Sequence, residues 1–234
     1  CPTTFGRPRP GTGESMVPQT RDERAALLAK PPAERVQAVG HRNYVGGVSP
    51  EAWYGIGRLQ YHFLVSQGLR HDHRFLDVAC GALRLGQFLI PYLDEGCYLG
   101  LEGEQSLVEA GLRHELLFDL DKKKKPRFAY NYDFDVSSLG SFDLAIAQSL
   151  FTHLTADDIA KCFAQLAKAA APGAVFFVTY FRGSQDRNPS GPSHSQLAWL
   201  SLPEQIADLA SPSGWTVTHM GDWGHPRNQL MLRC

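Results

Sequence analysis

The twelve residues from Phe75 to Gly86 constrain the fold of this 234-residue chain more than any other stretch. They begin with the apolar run Phe-Leu-Asp-Val-Ala, which is typical of a buried parallel strand. The run contains a carboxylate, Asp77, and leads into the small residues Ala79 and Gly81, after which leucines near helical spacing indicate a helix. A turn without bulky side chains lets a polar ligand approach the free N–H groups of a helix N-terminus. The sequence therefore predicts a ligand pocket at the strand–helix junction of an α/β sheet.

A second acidic side chain follows the next apolar run. Tyr98 to Leu101 leads directly into Glu102, which lies 25 residues after Asp77. This spacing suits one strand–helix–strand unit, and an acid at the end of the second strand is where an α/β sheet binds a ribose. The two carboxylates therefore predict a site for a ligand that contains a ribose.

From Phe75 onward, predicted strands alternate with helices, as a parallel sheet requires. The last two strands are separated by eight residues, which are too few for a helical crossover, so we expect them to be antiparallel. The expected strands are 75–79, 97–102, 127–131, 143–147, 175–180, 215–220 and 229–233, and the expected helices are 21–30, 33–39, 50–67, 84–92, 105–120, 156–171 and 203–209.

The first 70 residues differ in composition from the rest. Residues 1–20 are rich in Pro, Gly and Thr and lack periodicity, so they predict a flexible segment. Ser49, as N-cap, and Pro50, at the first position, indicate a helix start. The aromatic and polar side chains of this region favour a lid over a ligand, or else an extra helix packed on the sheet. The expected domains are a flexible segment at 1–20, a helical lid or extension at 21–70, and an α/β domain at 71–234.

Composition excludes several classes of protein. A formal net charge of −1 provides no general attraction to nucleic acid or to anionic membranes, and no apolar stretch is long enough to span a bilayer. The basic run Lys122–Lys125 predicts a solvated loop. The five cysteines are scattered and show no paired metal-ligand spacing, which favours reduced thiols and no metal. We therefore expect a cytoplasmic protein, a monomer or homodimer, without a nucleic-acid or membrane partner.

The run from Phe75 and the acid at Glu102 resemble motifs I and II of the class I S-adenosylmethionine (SAM)-dependent methyltransferases. The first loop of that family usually reads acid-x-Gly-x-Gly-x-Gly, whereas here Ala79 replaces the first glycine and Leu83 stands where the third would be. The Cys-Gly-x-Leu-Arg turn is similar to that of a bacterial small-molecule branch. Residues 141–147 resemble the fourth strand of the family, and 172–176 resemble its Pro-Gly-Gly turn.

This resemblance, which covers roughly residues 68–234, implies a Rossmann-like class I methyltransferase fold. Such a fold has a mostly parallel, seven-stranded sheet with a C-terminal antiparallel hairpin, here preceded by an N-terminal helical extension. A nicotinamide-dependent dehydrogenase uses a similar first loop, but a final antiparallel hairpin is foreign to its fold. The hairpin therefore favours the methyltransferase.

The resemblance implies SAM as cofactor and S-adenosylhomocysteine (SAH) as product. Asp77 would orient the amino group of the cofactor, directly or through water, and Glu102 would accept hydrogen bonds from both ribose hydroxyls. The adenine would be read after the third strand, where Asn131 and Asp135 are alternatives if the register differs. The expected cofactor-binding residues are Asp77, Ala79, Cys80, Gly81, Arg84, Glu102, Gly103, Asp133, Phe134 and Gln148.

Three histidines are candidates for a general base. His153 follows the fourth strand, which lies near the sulfonium methyl in this family, and an imidazole can take a proton from a hydroxyl nucleophile. The alternative is that His153 only shapes the pocket. His62 and His225 are the next candidates, since each lies on an element expected to reach the acceptor: the segment 41–62 and the hairpin turn 221–227.

The predicted reaction is methyl transfer from SAM to a small or medium-sized acceptor. An oxygen of a secondary metabolite, a sugar or a lipid-linked glycan is the first expectation. The alternative from another class is a non-catalytic protein of the same fold that acts as a binding or scaffold subunit. The presence of both Asp77 and Glu102 argues against that alternative, because a scaffold has no need of a cofactor pocket.

Overall fold

The structure, a computed structural model, describes residues 21–184, 187–191, 193 and 198–234. The prediction of a flexible segment at 1–20 lies outside the described residues. The central element of the structure is a mostly parallel β-sheet flanked by helices. The strands are β1 (Phe75–Val78), β2 (Tyr98–Glu102), β3 (Arg127–Tyr130), β4 (Phe142–Ala147), β5 (Ala170–Arg182), β6 (Leu200–Ser201), β7 (Thr218–Asp222) and β8 (Leu230–Arg233).

The strand order is β3-β2-β1-β4-β5-β8-β7, with the short β6 paired to β5 at its end. All pairs are parallel except the two made by β8, which is antiparallel to both β5 and β7. The predicted path of seven mostly parallel strands with a C-terminal antiparallel hairpin is therefore confirmed. Strand β6 was not predicted, because two residues carry no periodic signal.

The helices agree with the predicted alternation but differ in their ends. The expected helix at 105–120 stops at His114, and it cannot reach residue 120 because Phe118 and Asp119 adopt left-handed φ angles of 57° and 56°. The basic run predicted as a loop forms a short, largely exposed helix instead. The helices are α1 (Arg21–Leu28), α2 (Pro32–Val39), α3 (His41–Tyr44), α4 (Ile56–Ser66), α5 (Gly86–Tyr92), α6 (Gln105–His114), α7 (Leu120–Lys124), α8 (Ala156–Ala167) and α9 (Pro203–Ala210).

The first two helices lie close to the predicted 21–30 and 33–39, although α1 ends at Leu28 and α2 starts one residue early. Helix α2 begins at Pro32, a position where the missing N–H costs nothing. The Ser49 Oγ accepts a hydrogen bond from the Ala52 N–H at 3.1 Å, which confirms the N-cap. The first turn after it, Glu51–Gly55, is π-helical rather than α-helical and continues directly into α4.

Apolar side chains alternate between the two faces of the sheet. Leu76 and Val78 belong to the buried cluster on one face, while Phe75 belongs to the cluster on the other. A third, smaller cluster forms around Trp53, which is 1% exposed, and packs the N-terminal helices against the first loop. Burying a large apolar side chain contributes on the order of 1.5–3 kcal/mol, so Trp53 attaches the helical extension to the sheet domain.

None of the helices in the described part of the chain is both long and apolar enough to cross a membrane. The cysteines described by the structure, at positions 80, 97, 162 and 234, are free thiols, as the sequence predicted.

Candidate cofactor and acceptor site

A cavity of about 980 Å³ opens where β1, β2 and β4 end. This volume is at the upper end of the range for small-molecule sites, so it can hold more than one ligand. All ten residues predicted to bind cofactor lie on its wall, and so does His153. No group of histidine, cysteine and acidic side chains suited to a metal is present among the described residues.

The loop after β1 has a backbone that explains the glycine pattern of the methyltransferase motif. Ala79, Gly81 and Leu83 all have left-handed φ angles, of 60°, 54° and 62°. Only glycine adopts this region without strain, and a non-glycine residue there costs about 1–2 kcal/mol. The chain therefore adopts the backbone expected of the motif although two of the three glycine positions hold Ala79 and Leu83, and the strain at Ala79 lies on the cavity wall.

The Glu102 carboxylate is fixed by the loop beneath it. Its Oε2 accepts a hydrogen bond from the Gly81 N–H at 2.8 Å, and its Oε1 accepts one from the Glu104 N–H at 3.0 Å. Burial raises the pKa of this carboxyl, and the backbone hydrogen bonds oppose the increase. Since each carboxylate oxygen can accept more than one hydrogen bond, Glu102 retains capacity for a pair of ligand hydroxyls.

Gly103 is required for the packing beside Glu102. A Cβ atom at this position would overlap the ring of Tyr132, which also lies on the cavity wall. The glycine therefore admits an aromatic side chain next to the second carboxylate. Tyr132 was not predicted, because a single tyrosine after a strand carries no functional signal.

The Asp77 carboxyl is 4% exposed and accepts a hydrogen bond from the Tyr98 hydroxyl at 2.8 Å. Burial, with a smaller contribution from the neighbouring Glu102, raises its pKa to about 7 against the effect of that hydrogen bond. The group is therefore divided between its neutral and ionised forms near neutral pH. A cationic ligand at this place would favour the ionised form.

The Cys80 thiol is buried in the cavity wall, near both acids. Burial, together with Asp77 and Glu102, raises its pKa well above the usual range. A neutral thiol is a poor nucleophile, so the structure supports packing as the role of this side chain.

The loop after β3 is organised by Asn131. Its Oδ1 accepts hydrogen bonds from the N–H groups of Asp133 and Asp135, at 3.1 and 3.0 Å. The Asp135 carboxylate accepts from the Ser137 N–H and is not on the cavity wall, whereas Asp133 is on the wall and contacts the Lys161 ammonium. Of the possible adenine-binding acids, the geometry favours Asp133 over Asp135.

Buried polar side chains fix the segment after β4. Ser149 has a left-handed φ of 58°, and its N–H donates to the Thr179 Oγ1 at 2.7 Å. Gln229, 2% exposed, accepts from the Thr179 hydroxyl at 2.8 Å and contacts the Ser149 hydroxyl at 3.0 Å. This network holds the backbone of Ser149 at the cavity wall. Thr179 and Gln229 were missed, because each reads as an ordinary polar residue of a strand.

His225 is not suited to be a base. It is 4% exposed, its Nδ1 accepts a hydrogen bond from the Arg227 N–H at 3.2 Å, and its Nε2 contacts the Gln148 side-chain amide at 3.1 Å. Burial, followed by the charges of Arg227 and Arg84, lowers its pKa to about 4. Both ring nitrogens are occupied and the residue is not on the cavity wall, so the candidate role as base is corrected to a supporting one.

His62 lies outside the site as well. It is exposed on α4, where its ring packs edge-on against Tyr61, and it does not line the cavity. The prediction failed because the helical face that carries His62 is turned away from the sheet ends. Of the three candidate histidines, the structure brings only His153 to the cavity.

The helical extension is attached by an ion pair centred on Glu115, at the end of α6. Its carboxylate, 2% exposed, accepts hydrogen bonds from the Arg42 Nε and Nη2, both at 2.7 Å, and from the Trp53 Nε1 at 3.0 Å. The His41 Nε2 lies 2.6 Å from the same carboxylate. Although burial opposes ionisation, the hydrogen bonds from His41 and Arg42 outweigh it, so the Glu115 pKa is lowered to about 2.

The loop that follows α3 forms part of the cavity wall. Its Val45 carbonyl accepts a hydrogen bond from Arg84, and the next carbonyl, of Gly46, accepts from the Arg227 Nη2 at 2.7 Å. Arg227 lies in the hairpin turn between β7 and β8. The two regions predicted to form the acceptor pocket, at 41–62 and 221–227, are therefore brought into contact at the cavity.

Residues 76–176 match the family model described as a methyltransferase domain. Solved structures of similar fold include the magnesium protoporphyrin IX methyltransferase of Synechocystis PCC 6803 with bound SAH, at 14% identity and a TM-score of 0.59, over 82% of this chain and 90% of that one. The glycopeptide N-methyltransferase MtfA has 13% identity and a TM-score of 0.58, over 77% and 88% of the two chains. The CcbJ methyltransferase of Streptomyces caelestis has 15% identity and a TM-score of 0.56, over 81% and 90%.

At these identities the solved structures establish the fold alone. The matched region identifies a methyltransferase domain at residues 76–176, and the strand order and the solved structures show that its fold is that of the class I SAM-dependent methyltransferases. The recognition from motifs I and II is confirmed.

Proposed function

We propose that this protein binds SAM in the cavity and transfers its methyl group to a small or medium-sized acceptor. The observation that carries the proposal is a pair of carboxylates on adjacent strands, buried Asp77 and partly buried Glu102, on the wall of a 980 Å³ cavity. The residues fit the cofactor: Glu102 has acceptor capacity for the ribose hydroxyls, and Asp77 gains a stable ionised form beside an ammonium group.

The remaining wall residues divide between the two ends of the cofactor. The backbone of Ala79 and Gly81 would line the methionine part, as would Cys80. Gly103, with Asp133 and Phe134, would enclose the adenosine, the carboxylate of Asp133 accepting from the adenine amino group. Gln148 would lie at the reacting end.

When bound, SAM supplies a methyl group on a positively charged sulfur that leaves as a neutral thioether. The chain must hold the acceptor atom in line with that methyl and exclude water, and such positioning contributes most of the rate enhancement. His153 would take the proton from the acceptor. Because an alcohol or phenol must lose a proton to become a strong nucleophile, this residue favours oxygen, in a secondary metabolite, a sugar or a lipid-linked glycan, over nitrogen.

The rival function is a non-catalytic scaffold of the same fold. Two costs argue against it: the left-handed backbone at Ala79, and the burial of Asp77 with a raised pKa. Both costs fall on the cavity wall, where a ligand can offset them and a scaffold would gain nothing from them.

Titration calorimetry with SAH, SAM and NAD tests the proposal. We expect SAH and SAM to bind and NAD not to bind. Binding of NAD with no binding of the two adenosyl sulfur compounds would contradict the methyltransferase assignment. Binding of SAH without turnover of any acceptor in a broad panel of alcohols, phenols and amines would support the scaffold.

Replacing Glu102 by alanine is expected to weaken SAH binding by roughly 10- to 100-fold. Loss of the carboxylate that accepts hydrogen bonds from the ribose should cost about 1.5–3 kcal/mol in total. The change also leaves the Gly81 N–H without its acceptor, so a thermal melt must show that the variant is folded. Glu95→Ala, which removes an exposed carboxylate paired with Lys125, is the matched control. Unchanged SAH affinity in folded Glu102→Ala would contradict the ribose-binding role and leave Glu102 as an ordinary residue at the end of a strand.

SAH affinity is expected to increase with pH through about 7, by up to about tenfold per pH unit below that value. The reason is that Asp77, whose pKa is raised to about 7, must lose its proton before it can pair with the ammonium of the ligand. Calorimetric dissociation constants at about pH 6, 7 and 8 measure this effect. Asp77→Asn should abolish the pH dependence; a dependence that persists in this variant would assign it to another group.

The Asp77 carboxyl gives the stability of the unliganded protein the opposite pH dependence. Because its pKa is raised in the folded state, the contribution of Asp77 to stability is fully present below its unfolded pKa of 3.8 and is lost as pH rises through about 7. Folded, unliganded Asp77→Asn should therefore be more stable than the wild type at about pH 8 while it binds SAH more weakly. This combination separates a ligand-binding carboxyl from a structural one.

A further inference from the structure

Two guanidinium groups share one side of the cavity. Arg84, in the loop before α5, is 9% exposed, and Arg227, in the hairpin turn, reaches the cavity from the opposite end of the chain. Each donates one hydrogen bond to the loop after α3, Arg84 to the Val45 carbonyl and Arg227 to the Gly46 carbonyl. Within the described residues, no carboxylate forms an ion pair with either group.

A buried guanidinium without a counter-ion is unfavourable. Burial, and then the charge of Arg227, lowers the Arg84 pKa to about 10, and its buried Nε has no hydrogen-bond partner. The guanidinium lies 5.3 Å from the ring of Trp53, which offsets only part of the cost. An uncompensated buried charge costs several kcal/mol, so this side of the cavity is suited to an anion.

A third group points to the same ligand chemistry. Gln60, on α4, is 2% exposed, lines the cavity and has an Oε1 without a hydrogen-bond partner. Because the oxygen and nitrogen of a glutamine amide exchange by a simple rotation, Gln60 can present an N–H donor to an anion.

We propose that Arg84 and Arg227 bind a carboxylate of the methyl acceptor, so that the substrate is an acid. This inference rests on the proposed function and deepens it. The sequence motif assigned Arg84 to the cofactor, but its proximity to a second guanidinium favours the acceptor. Bidentate hydrogen bonds from a guanidinium would fix the orientation of the substrate as well as its charge.

Charge balance distinguishes the acceptor from the cofactor as the source of the anion. The methionine part of SAM carries one carboxylate, one ammonium and a positive sulfur, so its net charge is positive and it cannot neutralise two guanidiniums.

The test uses benzoate and its neutral analogue benzamide as probes on SAH-loaded protein. We expect benzoate to bind at least about tenfold more tightly than benzamide to the wild type, measured by titration calorimetry. In Arg227→Gln this preference should fall to less than about threefold, with SAH affinity within about twofold of wild type. Arg233→Gln, an exposed arginine at the end of β8, is the matched control and should keep the preference.

Three results would overturn the proposal. Equal binding of benzoate and benzamide, or binding of neither, would show that no anion subsite exists for the acceptor. Benzoate that binds only in the absence of SAH, in competition with it, would assign the arginines to the carboxylate of the cofactor. Failure of wild-type protein to bind SAH, which is measured first, would remove the proposed function itself and this inference with it.

Discussion

Glu115→Gln is expected to lower the free energy of unfolding at neutral pH by about 3 kcal/mol, a large part of the stability of a domain of this size. The substitution keeps the shape of the side chain but removes the charge that His41 and Arg42 face. Breaking a buried ion pair on one side leaves the other charge without compensation and costs about 3–5 kcal/mol.

The lowered pKa of Glu115 gives a similar value for the free energy that its charge contributes to folding. The pKa of the Glu115 carboxyl falls from its ordinary value of 4.5 to about 2 in the folded protein. Since one pKa unit corresponds to about 1.4 kcal/mol, this difference is worth about 3 kcal/mol. The agreement is meaningful because the Glu115 side chain is only 2% exposed and is little screened by solvent.

The pH dependence of this contribution has a definite direction. A carboxyl whose pKa is depressed on folding stabilises the protein above its unfolded pKa and loses that effect as pH falls towards its folded pKa. The difference in stability between wild type and Glu115→Gln should therefore be full above about pH 5 and disappear between about pH 4.5 and pH 2. Urea unfolding at several pH values measures it.

An exposed ion pair provides the control for this prediction. Glu95 contacts Lys125 at 2.6 Å, but both side chains are more than half exposed. Glu95→Gln should cost less than about 1 kcal/mol, as surface pairs do. If Glu115→Gln costs no more than Glu95→Gln, the N-terminal helices are held by the packing of Trp53 and not by the ion pair.

The fold could be predicted because its signals are local. The apolar runs that contain Asp77 and precede Glu102 mark strands β1 and β2, and eight residues between the last two predicted strands permit only an antiparallel pair. The break after α6 was missed because it depends on left-handed backbone at Phe118 and Asp119, residues that rarely adopt it. Such a conformation is imposed by tertiary contacts rather than by residue type.

The site was predictable where one loop forms it and not where distant segments meet. All ten residues expected at the cofactor lie on the cavity wall, because they belong to the ends of adjacent strands. The partners of Glu115 lie 62–74 residues away in sequence, so no local pattern could show them. His225 was misjudged for the same reason: its burial and its contact with Gln148 follow from tertiary packing.

His153→Ala is expected to lower the turnover number by about 100-fold or more while the dissociation constant of SAH stays nearly unchanged. His153 lies in the turn Phe151–His153 directly after the strained Ser149 and lines the cavity, whereas His62 and His225 do not. Removing a general base typically costs 10²- to 10⁴-fold, and the loss falls on the chemical step because the base acts only in the transition state.

The measurement is methyl transfer from labelled SAM, under single-turnover conditions, to the acceptor identified from a panel of hydroxy acids. His62→Ala is the matched control, because it removes an exposed imidazole away from the cavity, and it should retain near-normal turnover.

A base can be distinguished from a positioning residue by the acidity of the acceptor. If His153 removes the proton, the defect of His153→Ala must shrink as the acceptor hydroxyl becomes more acidic, since an ionised nucleophile needs no base. A defect that is the same for all acceptors would mean that His153 orients the substrate, and near-normal turnover would remove it from the reaction.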